Sequence, residues 1–193
     1  GFRVMECDPP RQEREGGEFY TIEKIAQQCD IITLHTPLDA TTKHLINSKL
    51  MSSMRPEAVI INASRGGVVD NRAVLHSDHR YAFDVWEGEP ILNEKVLQGA
   101  TLATPHIAGY SLQGKANATA MVLKALARHF SLPLGDWYPS EVTPTIPRLI
   151  SWEEMCLTLP RYFDIEQESS TLKRNPADFE HLRNHYNYRE ERY

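Results

Sequence analysis

His106 stands where a short apolar run ends and a helix-like segment begins, in the stretch TPHIAGYSLQGKA at residues 104–116. A neutral imidazole can take a proton near pH 7, which makes histidine a common general base in catalysis. A histidine beside a strand end is more often a surface residue or a satisfied core residue. The catalytic interpretation therefore requires other chemically useful side chains at the same place in the fold.

Five short apolar runs predict the strands that would bring such side chains together; they lie at 2–7, 30–36, 58–64, 81–86 and 101–106. Most of these runs are nearly continuous, which is typical of parallel strands buried on both faces. Segments with helical character and good N-caps, among them Thr21, Asn47 and Asp70, lie between the runs. This alternation predicts an α/β fold, a Rossmann-like doubly wound parallel sheet with a small α-rich C-terminal module.

Charged residues collect at the carboxyl ends of the predicted strands, the edge at which open parallel sheets bind ligands. The third run is followed by Arg65, the fourth by Glu89 and the fifth ends at His106. Asp8 follows the first run, where a carboxylate would accept hydrogen bonds from an adenosine ribose and repel a 2′-phosphate. This arrangement favours NAD over NADP, and a simple turn at Asp8 is the alternative.

Three sequence blocks, IINASRGGVVD, FDVWEGEP and TPHIAGYS, resemble the signature blocks of the D-isomer-specific 2-hydroxyacid dehydrogenases. The resemblance covers roughly residues 1–130 and implies an NAD-dependent oxidoreductase. It implies that Arg65 binds the substrate carboxylate, that His106 takes the hydroxyl proton, and that Glu89 hydrogen-bonds the other ring nitrogen of His106. Glu87 competes for the last role, but the family motif favours the residue immediately before the proline.

The same resemblance implies a set of residues around the cofactor. Asp84 would meet the nicotinamide carboxamide, and Gly66 and Gly67 would let the backbone pass close to cofactor or substrate. The complete cofactor set is Asp8, His35, Thr36, Pro37, Ala63, Ser64, Arg65, Asp84, His106, Ala108 and Gly109. No metal site is predicted, because the pairs His76/His79 and His181/His185 have no nearby acid or cysteine to complete a ligand set.

A narrower likeness rests on DPPR, HIAGYSLQGKA and the tail FEHLRNHYNYRE. These segments resemble a subgroup that oxidises 4-phospho-D-erythronate to the 2-oxo acid in pyridoxal phosphate (vitamin B6) biosynthesis and carries a C-terminal dimerisation module. Two alternatives stay open: another D-2-hydroxyacid dehydrogenase, for example one for 3-phosphoglycerate, and a catalytically silent dimerising fragment. Arg183 and Arg189 could reach the substrate phosphate of a neighbouring subunit, or they could belong to an ordinary interface or solvated face.

The predicted domain division follows the change in composition along the chain. Residues 1–112 would form the NAD-binding domain, incomplete at its N-terminus because no glycine-rich phosphate loop precedes the first run. Residues 113–130 would form a connecting helix, and residues 131–193 a module that makes the protein a homodimer. The connection from Asp70 to Arg80 has eleven residues, the minimum for a helical crossover.

Composition argues against several other classes of protein. The 193 residues carry a formal net charge of −5 and no run of basic residues, which argues against nucleic-acid binding. The sequence contains no run of 18 apolar residues, so no membrane span is predicted. The N-terminal residues lack the pattern of a secretory signal. Cys7, Cys29 and Cys156 are an odd number without CxxC spacing, so we expect reduced thiols and a cytoplasmic location.

Overall fold

The structure is a computed structural model that describes residues 1–146 and 148–191. A parallel sheet of four strands lies at its centre, in the order β1-β2-β3-β4. The strands are β1 (Ile31–Leu34), β2 (Val59–Asn62), β3 (Arg80–Phe83) and β4 (Leu102–Ala103). Leu34 pairs with Asn62, and Asn62 with Phe83, so the carboxyl ends of the strands are aligned at one edge. The predicted Rossmann-like α/β fold is confirmed.

Helices precede, separate and follow these strands. They are α1 (Pro9–Glu15), α2 (Ile22–Gln28), α3 (Ser48–Met51), α4 (Asn71–Leu75), α5 (Glu94–Gly99), α6 (Leu112–Phe130), α7 (Trp152–Tyr162), α8 (Ile165–Arg174) and α9 (Phe179–Asn184). The side chains of Thr21, Asn47 and Asp70 accept hydrogen bonds from the first amides of α2, α3 and α4. These caps are the ones that the sequence predicted. In the described residues, no helix has both the length and the apolar character that a membrane span needs.

The prediction of a strand at residues 2–7 is wrong. This segment has no regular structure, and its apolar side chains Phe2 and Val4 are 73% and 72% exposed. An isolated extended segment leaves its backbone donors and acceptors unpaired, so a strand forms only beside a partner. None of the four described strands pairs with residues 2–7.

The prediction that the strands are buried on both faces is also wrong. Ile32 and Ile60 are buried, whereas their neighbours Ile31 and Ile61 are 49% and 36% exposed. Successive strand residues point to opposite faces of a sheet. Because the strands follow one another in chain order, right-handed crossovers place the connecting helices on one face, and that face holds the core.

The C-terminal helices complete this core. Leu172 of α8 and Phe179 of α9 are buried in the same apolar cluster as the sheet. At β4, the backbone N–H of Ala103 donates a hydrogen bond to the hydroxyl of Ser169 on α8, at 3.0 Å. Helix α6 matches the predicted connecting helix closely. Part of the segment predicted as a C-terminal module therefore packs onto the sheet, while the domain division itself stays a prediction.

Candidate active site

Glu89 and His106 form a hydrogen-bonded pair beyond the carboxyl ends of β3 and β4. Oε2 of Glu89 lies 2.8 Å from Nδ1 of His106, and Oε1 of Glu89 accepts the backbone N–H of Trp86 at 2.7 Å. The two side chains are only 19% and 25% exposed. Since Nδ1 faces Glu89, Nε2 is the ring nitrogen that remains for exchanging a proton with a substrate.

Glu87, the competing candidate, lies against other residues. Its Oε1 is 2.6 Å from Nε2 of His44, and its Oε2 accepts the backbone N–H of Asn71 at 3.3 Å. The structure therefore places Glu89, as predicted, and not Glu87 on the ring of His106. The His44–Glu87 contact could not be predicted, because the two residues are 43 positions apart and share no motif. With Asp70, these two residues form a group whose ligand atoms lie within 4.8 Å of one another.

Asp84 holds the backbone that follows His106. This carboxylate is 7% exposed and accepts hydrogen bonds at both oxygens. Oδ1 accepts the N–H of Ile107 at 2.8 Å and the hydroxyl of Thr104 at 2.6 Å, and Oδ2 accepts the N–H of Ala108 at 3.0 Å. Asp84 thus fixes the loop that carries Ala108 and Gly109, while its contact with a nicotinamide carboxamide stays a prediction.

A cleft of about 330 Å³ lies beside the carboxyl ends of β1 and β2. Its volume falls within the usual range for small-molecule and cofactor sites. The residues that line it were all predicted to bind the cofactor: His35, Thr36, Pro37, Ala63, Ser64 and Arg65. Arg65 itself is exposed, and its Nη1 donates to the carbonyl of Ser64 at 2.7 Å. The structure therefore brings half of the predicted set together around one cavity.

Gly66 brings the loop of Arg65 against the loop that leads to Glu89. A Cβ atom added at Gly66 would lie 2.0 Å from the carbonyl carbon of Trp86 and 2.3 Å from the backbone nitrogen of Glu87. A Cβ at Gly67 would meet the side chain of Leu38 at 3.1 Å. The observed close approach at Gly66 is between two stretches of the chain itself, and the approach of this glycine pair to cofactor or substrate stays a prediction.

Asp8 caps a helix in this structure. Its Oδ1 accepts the backbone N–H of Arg11 at 2.9 Å, and Pro9 occupies the first position of α1. The side chain oxygen of an N-cap commonly satisfies such an amide. The second carboxylate oxygen remains available in principle for a ribose, so the predicted cofactor contact of Asp8 stays a prediction.

Arg189 contacts the loop after His106 within its own chain. Its guanidinium donates to the carbonyl oxygens of three loop residues, which are Ile107, Ala108 and Tyr110. The observed contacts are intramolecular, and the reach of this arginine to a neighbouring subunit stays a prediction. Nearby, burial and the charge of Asp164 raise the pKa of Glu168, and Arg189 opposes that rise. Arg183 has a buried Nε with no hydrogen-bond partner in the described residues.

Comparison with known proteins identifies the family. Residues 1–108 match the model of the D-isomer specific 2-hydroxyacid dehydrogenase, NAD binding domain. The chain belongs to this family. It is 40% identical to the erythronate-4-phosphate dehydrogenase of Ectopseudomonas mendocina (strain ymp), over 99% of this chain and 56% of that protein. It is 39% identical to the enzyme of the same name from Bacteroides thetaiotaomicron, over 99% of this chain and 57% of that protein.

Solved structures show the same fold. The D-lactate dehydrogenase of Aquifex aeolicus, in complex with NAD and lactic acid, matches with a TM-score of 0.51 and 26% identity over 69% of this chain and 49% of that chain. A glyoxylate reductase from Paecilomyes thermophila matches with a TM-score of 0.52 and 23% identity, over 70% of this chain and 43% of that chain. The chain spans 56% and 57% of the two erythronate-4-phosphate dehydrogenases.

Proposed function

We propose that this chain supplies the NAD-binding and acid–base part of an enzyme that oxidises 4-phospho-D-erythronate to the corresponding 2-oxo acid. The observation that carries the proposal is the Glu89–His106 hydrogen bond of 2.8 Å at the carboxyl edge of the parallel sheet. Relatives named erythronate-4-phosphate dehydrogenase, 39% and 40% identical over 99% of the chain, support the choice of substrate. That choice would place the reaction in pyridoxal phosphate biosynthesis.

His106 acts as the general base in this proposal. Nε2 takes the proton of the substrate C2 hydroxyl, and the ring then carries a positive charge. Glu89 accepts the Nδ1–H bond, which keeps the neutral ring in the tautomer with a free Nε2 and stabilises the imidazolium after proton transfer. The hydrogen bond from Trp86 N–H to the other oxygen of Glu89, at 2.7 Å, holds the carboxylate in place.

Arg65 orients the acid. Its guanidinium is planar and carries donors arranged to fit a carboxylate with two parallel hydrogen bonds. The residue is exposed and lines the cleft. A substrate whose carboxylate is bound by Arg65 would place its C2 hydroxyl at the ring of His106.

The lining of the cleft suits part of a dinucleotide cofactor in its chemistry. The cleft has a volume of about 330 Å³, and its lining of hydroxyl, imidazole and guanidinium groups suits ribose and phosphate oxygens. His35 and Thr36 would donate to those oxygens, and Ala63 and Pro37 would form the walls; the hydroxyl of Ser64 already donates to Oδ1 of Asn62 at 2.8 Å. When bound, NAD would accept the hydride that leaves C2 of the substrate.

Turnover by the protein tests the proposal. We expect 4-phospho-D-erythronate to reduce NAD, followed at 340 nm with a trap for the 2-oxo acid. His106→Ala and Glu89→Gln should lower kcat by about 10²- to 10⁴-fold, the usual contribution of a positioned base. Arg65→Ala should also raise KM, because it removes the partner of the substrate carboxylate. Equal kcat for the His106→Ala variant and the parent would exclude His106 as the base.

The alternatives predict different outcomes in the same assay. Turnover of 3-phosphoglycerate, with none of 4-phospho-D-erythronate, would keep the mechanism and replace the substrate. NAD binding without turnover of either acid would favour a catalytically silent polypeptide.

We also propose a homodimer and a cytoplasmic location. The homodimer, through the C-terminal module of residues 131–193, is supported by large apolar side chains exposed on α7, where Trp152, Leu157 and Leu159 are 63%, 60% and 45% exposed. The location is supported by three free cysteines. Light scattering after gel filtration should give the mass of two chains, and Leu157→Glu with Leu159→Glu should give the mass of one.

A further inference from the structure

The position of the His106 ring depends on an unusual backbone conformation. His106 has a φ of 58°, in the left-handed region that residues other than glycine occupy uncommonly. Such a conformation persists where the surrounding contacts hold it. The contacts made by the next residues, Ile107 to Tyr110, therefore control where the imidazole points.

The amide side of this loop is held by a carboxylate. Asp84 accepts the N–H groups of Ile107 and Ala108 at 2.8 and 3.0 Å. The backbone N–H of His106 also donates to the main-chain carbonyl of Asp84, at 2.8 Å. The donors on this side of the loop are thus satisfied by one residue at the end of β3.

The carbonyl side of the same loop is held by a guanidinium. Nη1 of Arg189 donates to the carbonyls of Ile107 and Tyr110 at 3.2 and 3.3 Å, and Nη2 donates to the carbonyl of Ala108 at 2.5 Å. The loop lies between a negative charge at its N–H groups and a positive charge at its C=O groups. Both charges match the direction of the peptide dipoles, and hydrogen bonds to ionised groups are stronger than neutral ones.

The segment that carries Arg189 is itself anchored beside the loop. The carbonyl of Arg189 accepts the N–H of Leu112 at 2.9 Å, and the N–H of Glu191 donates to Oε1 of Gln113 at 2.8 Å. The guanidinium lies 5.0 Å from the centre of the Phe163 ring. The C-terminal segment is therefore fastened to the start of α6, immediately after the loop.

We propose that Arg189 is a positioning residue for His106, which sets the ring by holding the carbonyls of Ile107, Ala108 and Tyr110. The proposal rests on the proposed function, because it assigns Arg189 a part in the proton transfer made by His106. Arg189 acts through the loop and does not contact the substrate. The C-terminal segment is thereby a part of the active-site assembly within one chain.

The geometry of three acceptors explains why the residue is an arginine. A guanidinium offers five N–H donors in a planar fork, and two of its nitrogens serve three carbonyls here. A lysine ammonium has three donors on one nitrogen and cannot span the same acceptors. We therefore expect Arg189→Lys to retain part of the function and Arg189→Ala to lose most of it.

Steady-state kinetics and local amide hydrogen exchange of the whole protein test the proposal together. The variants are Arg189→Ala, Arg189→Lys and, as the control, Arg174→Ala on α8. Arg174 is exposed, and its Nε bonds to the carbonyl of Ser170 in its own helix. In Arg189→Ala we expect kcat to fall about 10- to 100-fold, since a misplacement near 1 Å can cost about 10² in rate. KM should stay within twofold of the parent, and exchange in residues 106–111 should accelerate.

Chemical rescue of the Arg189→Ala variant gives a further test of the proposal. We expect free guanidinium ion at millimolar concentration to restore part of kcat in Arg189→Ala and to leave Arg174→Ala unchanged. A raised KM with parental kcat would overturn the proposal and point to direct contact with the substrate phosphate. Parental exchange in residues 106–111 would overturn it as well. An inactive parent would refute the proposed function, whereas the hydrogen-exchange comparison would still test the contact between Arg189 and the loop. If Arg189→Ala does not fold, the kinetics and the hydrogen exchange are measured on Arg189→Lys.

Discussion

Substitution of Gly66 by alanine should destabilise the protein through one steric clash. The added Cβ would lie 2.0 Å from the carbonyl carbon of Trp86 and 2.1 Å from its oxygen. Carbon atoms in good contact are about 3.5 to 4.0 Å apart, so one loop would have to move by more than about 1 Å. Both partners are backbone, and no side-chain rotation can relieve the overlap.

The magnitude follows from the cost of overpacking. Added methyl groups in a packed site cost about 1 to 3 kcal/mol, and a clash between backbone segments belongs at the upper end of that range. With a urea m value of about 1 to 3 kcal/mol/M, a loss near 3 kcal/mol would lower the unfolding midpoint by about 1 to 3 M. The φ of Gly66 lies outside the left-handed region, so the expected loss is steric and not conformational.

Urea unfolding of three proteins checks this expectation. The parent and Gly66→Ala are compared with Gly109→Ala, where an added Cβ would have no atom within 4 Å. The control should stay within about 0.5 kcal/mol of the parent, as is usual for exposed substitutions. If Gly66→Ala unfolds at the same midpoint as Gly109→Ala, the two loops do not pack as closely as the structure indicates.

Three further perturbations test other parts of the structure. Phe179→Ala should lower the free energy of unfolding in urea by about 3 to 5 kcal/mol, because the ring is 1% exposed in the core. A loss below about 1 kcal/mol would mean that α9 does not pack against the core. Tyr81→Phe should lower the free energy of unfolding by about 1 kcal/mol in the same assay, since it removes the hydrogen bond of 2.7 Å to the carbonyl of Val96. An unchanged unfolding midpoint would contradict that hydrogen bond. Burial is the larger cause, and the charges of nearby acidic residues the smaller cause, of a raised pKa at Cys7, so its thiol stays protonated to higher pH. Iodoacetamide at pH 8 should therefore label the exposed Cys156 before Cys7, and peptide mass spectrometry showing the reverse order would refute this.

The sequence by itself determined the elements whose signals are local. The apolar runs that became β1 to β4 and the caps Thr21, Asn47 and Asp70 could be identified because both depend on neighbouring residues. The ends of parallel strands lie at one edge, so the sequence also predicted that Glu87, Glu89 and His106 collect there. The choice of Glu89 as the partner of His106 came from the resemblance to the family motif.

Contacts between distant segments were decided only by the tertiary structure. Residues 2–7 have the composition of a strand but no strand beside them, and the exposure of Ile31 and Ile61 depends on which face the helices cover. Arg189 donates to the carbonyl of Ala108 from 81 positions away in the sequence, and no periodicity or motif indicates such a contact. Local propensity depends on a few adjacent residues, whereas a pairing across the chain exists only after the backbone has folded.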